Sequence, residues 1–109
     1  MVVGDQLQQV LLNLVINAME AMPEGGELCI ETMSGGDYIE IMVEDTGLGI
    51  PYELREKIFE PFVSTKEGGT GLGLAVSYGI LSAHGGSLEL IDGRKGACFC
   101  IRIPVGDLQ

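Results

Sequence analysis

Apolar and polar positions alternate along this chain with three distinct rhythms. From Asp5 to Met22, the apolar residues Leu7, Val10, Leu11, Leu14, Val15, Ala18 and Met22 recur at steps of mostly three and four. That spacing predicts an amphipathic helix, with Asp5 as its N-cap and Pro23, Gly25 and Gly26 as its stop. The period then falls to two. Leu28, Ile30 and Thr32, followed by Ile39, Ile41 and Val43, predict a β-hairpin turned by Ser34-Gly35-Gly36-Asp37. Tyr52 to Phe59 reads as a short helix stopped by Pro61, and residues 62–70 hold no sustained period, which suits a mobile loop. Leu72, Leu74, Ala75, Tyr78, Ile80 and Leu81 predict a second long helix from Gly71 to His84, ended by Gly85-Gly86. Two further strands, Leu88 to Ile91 and Cys98 to Ile103, flank a turn at Asp92-Gly93-Arg94-Lys95-Gly96. Helices on one face of such strands make an α+β fold, a two-layer sandwich.

Composition narrows the class. The 109 residues, 46% hydrophobic, fit one domain spanning 1–109 with a buried core. Sixteen acidic against six basic residues give a net charge of −10, which repels nucleic-acid phosphates and anionic lipid headgroups, so neither nucleic acid nor a membrane surface is an expected partner. Three cysteines without a C-x-x-C pair argue against a disulfide framework or a zinc site and fit a reducing cytoplasm. Cys98 and Cys100, two apart on a strand, share one face and read as small apolar residues. No signal-peptide pattern or apolar run long enough to span a bilayer occurs, although a longer parent protein could carry an anchor.

The candidate chemistry lies in two glycine turns and one helix face. Asn13 and Asn17 stack on one side of the first helix; their amide oxygens are hard neutral donors suited to Mg²⁺, and alone they equally fit a solvated polar face. Asp45 closes the second strand and opens the turn Asp45-Thr46-Gly47-Leu48-Gly49-Ile50. A carboxylate there accepts hydrogen bonds only, which matches an adenine amino group, or else it caps its own turn. Gly69-Thr70-Gly71-Leu72-Gly73-Leu74 runs into a helix start, where free N–H groups and the helix dipole favour phosphate. It is neither a P-loop, since the chain has no Gly-Lys pair, nor a dinucleotide fingerprint, whose third glycine would fall on Leu74. His84, at a helix end, reads as a residue engaging the last carbonyls or the helix dipole.

In order along the chain, residues 8–18, 45–51, 58–62 and 69–74 closely resemble the N, G1, F and G2 boxes of sensor histidine kinases. Ser64-Thr65-Lys66-Glu67 and Ala75-Val76-Ser77-Tyr78-Gly79 look most like the nitrogen-regulation type. The resemblance implies a Bergerat-type ATP-binding fold, with a mixed, mostly antiparallel sheet covered on one face by helices, shared with gyrase, Hsp90 and MutL ATPases. It implies ATP and Mg²⁺ as cofactors, Asn17 and Asn13 as metal-side and catalytic residues, and Asp45 as the adenine acceptor. Gly47, Gly49 and Ile50 fall in the G1 turn, Phe59 in the F box at the base of the lid, and Gly69, Thr70, Gly71, Leu72, Gly73 and Leu74 in the phosphate-side loop, all within the cofactor-binding set. Lys66 is placed against phosphate from its charge and lid position. Cys98, just before Phe99, stands where many relatives have threonine, which takes an adenine-side hydroxyl from that position.

Asn13 also separates activities. In the ATPase members the resemblance places a water-activating glutamate at this position, whereas an asparagine cannot accept that proton at neutral pH. Phosphoryl transfer by positioning is therefore expected, to a histidine on a separate dimerisation domain, with a response regulator as an indirect partner. No such domain lies in these 109 residues, and the strand expected before Asp5 is reduced to Met1-Val2-Val3, so the chain reads as an excised catalytic domain that does not autophosphorylate alone. The rival readings are an anti-sigma-type serine kinase and a nucleotide-binding module without catalysis.

Overall fold

The computed structural model describes residues 4–50, 52–60, 73–92 and 96–104. Helix α1 (Gly4–Glu20) is followed by strands β1 (Leu28–Gly35) and β2 (Tyr38–Asp45), a single 3-10 turn at Tyr52–Leu54, helix α2 (Gly73–Ala83), and strands β3 (Ser87–Asp92) and β4 (Ala97–Pro104). The strands form one sheet in the order β1-β2-β4-β3, and every neighbouring pair is antiparallel. The parallel component expected of a mixed sheet falls on Met1–Val3, outside the described residues.

The period-three-and-four stripe of α1 is its buried face. Val10, Leu14 and Ala18 are almost wholly buried, and Leu7 and Leu11 pack beside them. They meet Ile41 and Val43 of β2, Phe99, Ile101 and Ile103 of β4, Leu88 of β3 and Leu81 of α2 in one core. Full burial of a Val or Leu side chain contributes about 1.5–3 kcal/mol, so this stripe alone is enough to hold the helix on the sheet. Leu12, Ile16 and Met19 point away from it and remain exposed.

Several boundaries differ from the sequence expectation, α2 ending at Ala83 and β3 and β4 each running one residue further at both ends. α1 stops at Glu20 because Pro23 disfavours helical geometry in Met22, and Ala21 and Met22 close the last turn with bonds back to residues 17–19. Asp5 is not the N-cap but lies inside the first helical turn, where its charge still faces the positive end of the dipole. The 52–59 segment never becomes an α-helix. Arg55, Lys57 and Glu60 each donate to the carbonyl three residues earlier, a tighter winding that drives Ile58 into the core. The first hairpin is longer than the alternation predicted, since Gly35 pairs with Tyr38 and only Gly36 and Asp37 turn.

α2 ends as the Gly85-Gly86 pair requires. Gly85 takes a φ of +76°, and Gly86 N–H bonds the Leu81 carbonyl at 2.8 Å, a Schellman stop. The His84 ring does not simply engage its own helix end: its Nε2 and Gln6 Oε1 are 2.5 Å apart, joining the end of α2 to the start of α1. The two helices therefore run antiparallel over the sheet. Among the described residues no helix is long and apolar enough to cross a membrane.

β4 sits between β2 and β3 and is buried on both faces from Ala97 to Ile101. Phe99 and Ile101 face the helices, while Cys98 and Cys100 lie together on the opposite face, in register with Glu44 and Met42 of β2 and with Ile91 and Glu89 of β3. Burial, and then the nearby Glu44 and Cys100, raise the Cys98 thiol above its ordinary value; burial, and then Glu40 and Glu89, do so for Cys100. A raised thiol means that the folded state holds its protons longer than the unfolded chain, so this contribution to stability is complete below the unfolded pKa and is lost as pH rises through the folded one. Iodoacetamide at pH 8 is expected to alkylate the exposed Cys29 quickly and Cys98 and Cys100 only on unfolding, as read by mass spectrometry. Equal labelling of all three in the folded protein would contradict the burial of β4.

Candidate functional site

β2 delivers Asp45 to the end of the sheet, directly beside the C-terminal end of α1. The side chain is 2% exposed. Its Oδ1 accepts two backbone hydrogen bonds, from Gly47 N–H at 2.8 Å and Ala97 N–H at 3.3 Å. The first is the self-capping turn that the sequence allowed; the second comes from β4 and fixes the carboxylate from the opposite side. No described group donates to Oδ2, and among the described residues no buried side-chain polar atom lacks a partner. Oδ2 thus keeps its capacity to accept, on a carboxylate held in place by donors to the other oxygen.

Two glycines make this geometry possible. A Cβ on Gly96 would overlap Asp45 Oδ1 and lie 2.6 Å from the Asp45 carbonyl oxygen and 2.7 Å from Gly47 N, so a side chain there would displace both the carboxylate and the backbone of its turn. A Cβ on Gly47 would overlap the Ala21 carbonyl, because the turn after β2 is pressed against the chain leaving α1. Thr46 locks that contact: its hydroxyl accepts Glu27 N–H at 3.0 Å and lies 3.5 Å from Met22 Sδ. Gly49 follows at a φ of +76°, and Ile50 turns back to pack on the core.

Asn13 and Asn17, both half-buried, lie one helical turn apart on α1, and Asn13 meets α2. Asn13 Nδ2 lies 3.3 Å from the Gly73 carbonyl and 3.2 Å from Ser77 Oγ. A carbonyl only accepts, so the nitrogen end of the amide must face α2, which leaves Oδ1 as the outward acceptor. Helical rise places Ala21, which carries the Asp45 turn, about 6 Å along the axis beyond Asn17 and about 12 Å beyond Asn13. Asp45, Asn17, Asn13 and Gly73 thus follow one another along a single helix.

The remaining sequence candidates divide. Gly73 opens α2, and Leu74 packs against the core. Phe59 stacks on Tyr78 with centroids 5.3 Å apart and meets Phe99 edge-on at 6.3 Å, which makes it an anchor for the segment before residue 61 and commits its ring to the core. Lys66, Gly69, Thr70, Gly71 and Leu72 lie outside the described residues, as does the expected loop at 62–70. Cys98 is in register with Glu44 on the far face of the sheet, and the β4 residue that donates to the carboxylate is Ala97. Gly96, Ala97 and Ser77 were not among the sequence candidates. Only Ser77 carried a local signal, a polar residue in the apolar stripe Leu74, Ser77, Leu81.

Among the described residues no three His, Cys, Asp or Glu side chains could hold a metal ion together. A hard cation here would depend on amide oxygens and on oxygens brought by a ligand, the coordination habit of Mg²⁺. The donor set at Asn13 and Asn17 fits that requirement.

Residues 2–107 match the model of the family described as histidine kinase-, DNA gyrase B- and HSP90-like ATPases. Sporulation kinase C of Bacillus subtilis is 43% identical over 108 residues, covering 96% of this chain and 25% of its own length. The sensory histidine kinase/phosphatase NtrB of Klebsiella oxytoca is 40% identical over 112 residues, covering 93% of this chain and 32% of its own. NtrB is thus one relative among several sensor kinases of similar identity, and no subtype is set apart by it. The nucleotide-free catalytic domain of histidine kinase ThkA superposes with a TM-score of 0.83 at 40% identity, over 92% of this chain and 66% of that one. The chain belongs to the histidine kinase-, DNA gyrase B- and HSP90-like ATPase family, as a domain of the kind found in sensor histidine kinases.

Proposed function

We propose that the chain binds ATP with Mg²⁺ and presents the γ-phosphoryl group to a histidine on a separate dimerisation domain, from which a response regulator is served in turn. The observation that carries the reading is the buried carboxylate of Asp45, whose Oδ1 is fixed by two backbone donors while no described group donates to Oδ2. A pre-set acceptor of this kind selects an adenine amino group and leaves a guanine carbonyl without a donor. The order of groups along α1 supports it as well, with a base acceptor at one end, amide oxygens in the middle and the start of α2 beyond.

In this reading Asn17 and Asn13 hold the metal side of the triphosphate, and the N-terminus of α2 with the glycines before it receives phosphate oxygens. Bound Mg²⁺ supplies neutralisation of charge on the phosphates. Asn13 lacks the proton-accepting capacity of a carboxylate, so water is not activated and the chain's contribution is orientation and charge stabilisation. The phosphoacceptor comes from another domain or chain, and the 109 residues act as the nucleotide-binding unit of that pair.

Mixing the chain with [γ-³²P]ATP, Mg²⁺ and a phosphoacceptor helix pair from a related kinase is expected to give an acid-labile phosphohistidine; an acid-stable phosphoserine would favour the serine-kinase reading. Asp45→Asn is expected to weaken ATP binding by about 1–3 kcal/mol in calorimetry, because a charged acceptor is replaced by an amide that presents a donor as readily. Unchanged affinity would remove Asp45 from the pocket. Gly96→Ala is expected to lower both the unfolding midpoint in urea and ATP affinity, since the added methyl displaces the carboxylate at an overpacking cost of about 1–3 kcal/mol. Normal affinity in that variant would mean that the carboxylate's position is immaterial.

A further inference from the structure

Ser77 is fully buried, at 0% exposure, on the face of α2 that meets α1. It occupies a position whose neighbours in the stripe, Leu74 and Leu81, are apolar and contribute to the core. A hydroxyl in such a place costs stability unless it is hydrogen-bonded, and its partner is Asn13, 60-odd residues away in sequence and 3.2 Å away in space. The same Asn13 nitrogen reaches the Gly73 carbonyl, four residues before Ser77 on the same helix. Two acceptors of α2 therefore converge on one amide nitrogen of α1.

The consequence is orientational. A side-chain amide rotates between two nearly isosteric settings, one offering oxygen and the other nitrogen. The Gly73 carbonyl, which only accepts, sets the nitrogen end toward α2, and with it alone a single bond opposes that rotation. Ser77 supplies a second partner within the protein interior, where the hydroxyl has no water to turn to instead. Gly73 decides that the nitrogen end faces α2, and Ser77, whose hydroxyl accepts there, doubles the bonds that hold it in place.

We propose that Ser77 is a positioning residue that acts through Asn13, pinning the amide nitrogen against α2 so that Oδ1 faces the metal side of the bound nucleotide. The role rests on the ATP·Mg²⁺ reading of the site, and it gives α2 a second duty besides its N-terminus: the helix sets which atom α1 offers. Ser77 itself touches neither nucleotide nor metal in this scheme. Its effect is confined to interactions that need an oxygen at Asn13, and the adenine end, fixed by Asp45 and β4, is independent of it.

The test compares the unsubstituted chain with Ser77→Ala, the near-isosteric Ser77→Cys, Asn13→Ala and the double variant Ser77→Ala/Asn13→Ala. The non-hydrolysable analogue AMP-PNP is titrated by calorimetry with Mg²⁺ and again in EDTA, and the Asn13 side-chain amide is followed by ¹⁵N NMR. Loss of Ser77 is expected to reduce the gain in affinity conferred by Mg²⁺ roughly tenfold while leaving affinity in EDTA within about twofold, and the double variant is expected to match Asn13→Ala alone. The Asn13 amide protons are expected to exchange faster and shift in both Ser77 variants before any nucleotide is added. Urea unfolding separates a folding defect, and Ser77→Cys decides the matter if the alanine variant does not fold. An unchanged Mg²⁺ gain, an equal loss with and without metal, additive losses in the double variant, or an indifferent Asn13 amide would each overturn the positioning role. Failure of the unsubstituted chain to bind AMP-PNP would overturn the ATP reading itself and take this role with it.

Discussion

The packing of α1 against β2 and β4 is the contact on which the rest of the molecule depends. Val10, Leu14 and Ala18 fix the helix on the core, and that single placement sets the positions of three different polar elements. It turns Asn13 toward α2, brings the Ala21 carbonyl against Gly47, and so holds the Asp45 turn at the helix end. The apolar burial supplies several times the energy of any one hydrogen bond at the site. The polar groups are therefore free to specify orientation, because adhesion is provided elsewhere.

Asp45 and Asn13 illustrate one device used twice. Each is an ambidextrous or two-oxygen group in which one end is consumed by the protein: Oδ1 of Asp45 by Gly47 and Ala97, Nδ2 of Asn13 by Gly73 and Ser77. The atom left over is an acceptor in both cases. Prepaid orientation of this kind lowers the reorganisation needed on binding, which is how a fold with a net charge of −10 can still present a defined site to an anionic nucleotide. The unfavourable long-range field remains, and the proposed metal offsets it locally.

Much of this was legible in the chain. Helical and two-residue periods placed both helices and all four strands, because those rhythms are the direct trace of a face buried against a core. The ordered boxes marked Asn13, Asn17, Asp45 and the glycine turns. What escaped were contacts made across long sequence separations. Nothing adjacent to Gly96 or Ala97 announces that β4 will donate to Asp45, since the register of β2 against β4 is decided by the whole sheet. Cys98, one position beyond Ala97, lies on the opposite face of the strand, since the side-chain period of a strand is two. The segment at 52–59 escaped differently: its apolar residues suit a helix, but it is too short to nucleate one and its fold is dictated by Ile58 and Phe59 reaching the core.

The most direct test of the account is a crystal structure of the chain with AMP-PNP and Mg²⁺. The account predicts the adenine amino group within hydrogen-bond distance of Asp45 Oδ2 and the metal on the Asn17 and Asn13 side of α1. A base bound away from Asp45, or phosphates at the opposite end of the helix, would contradict it.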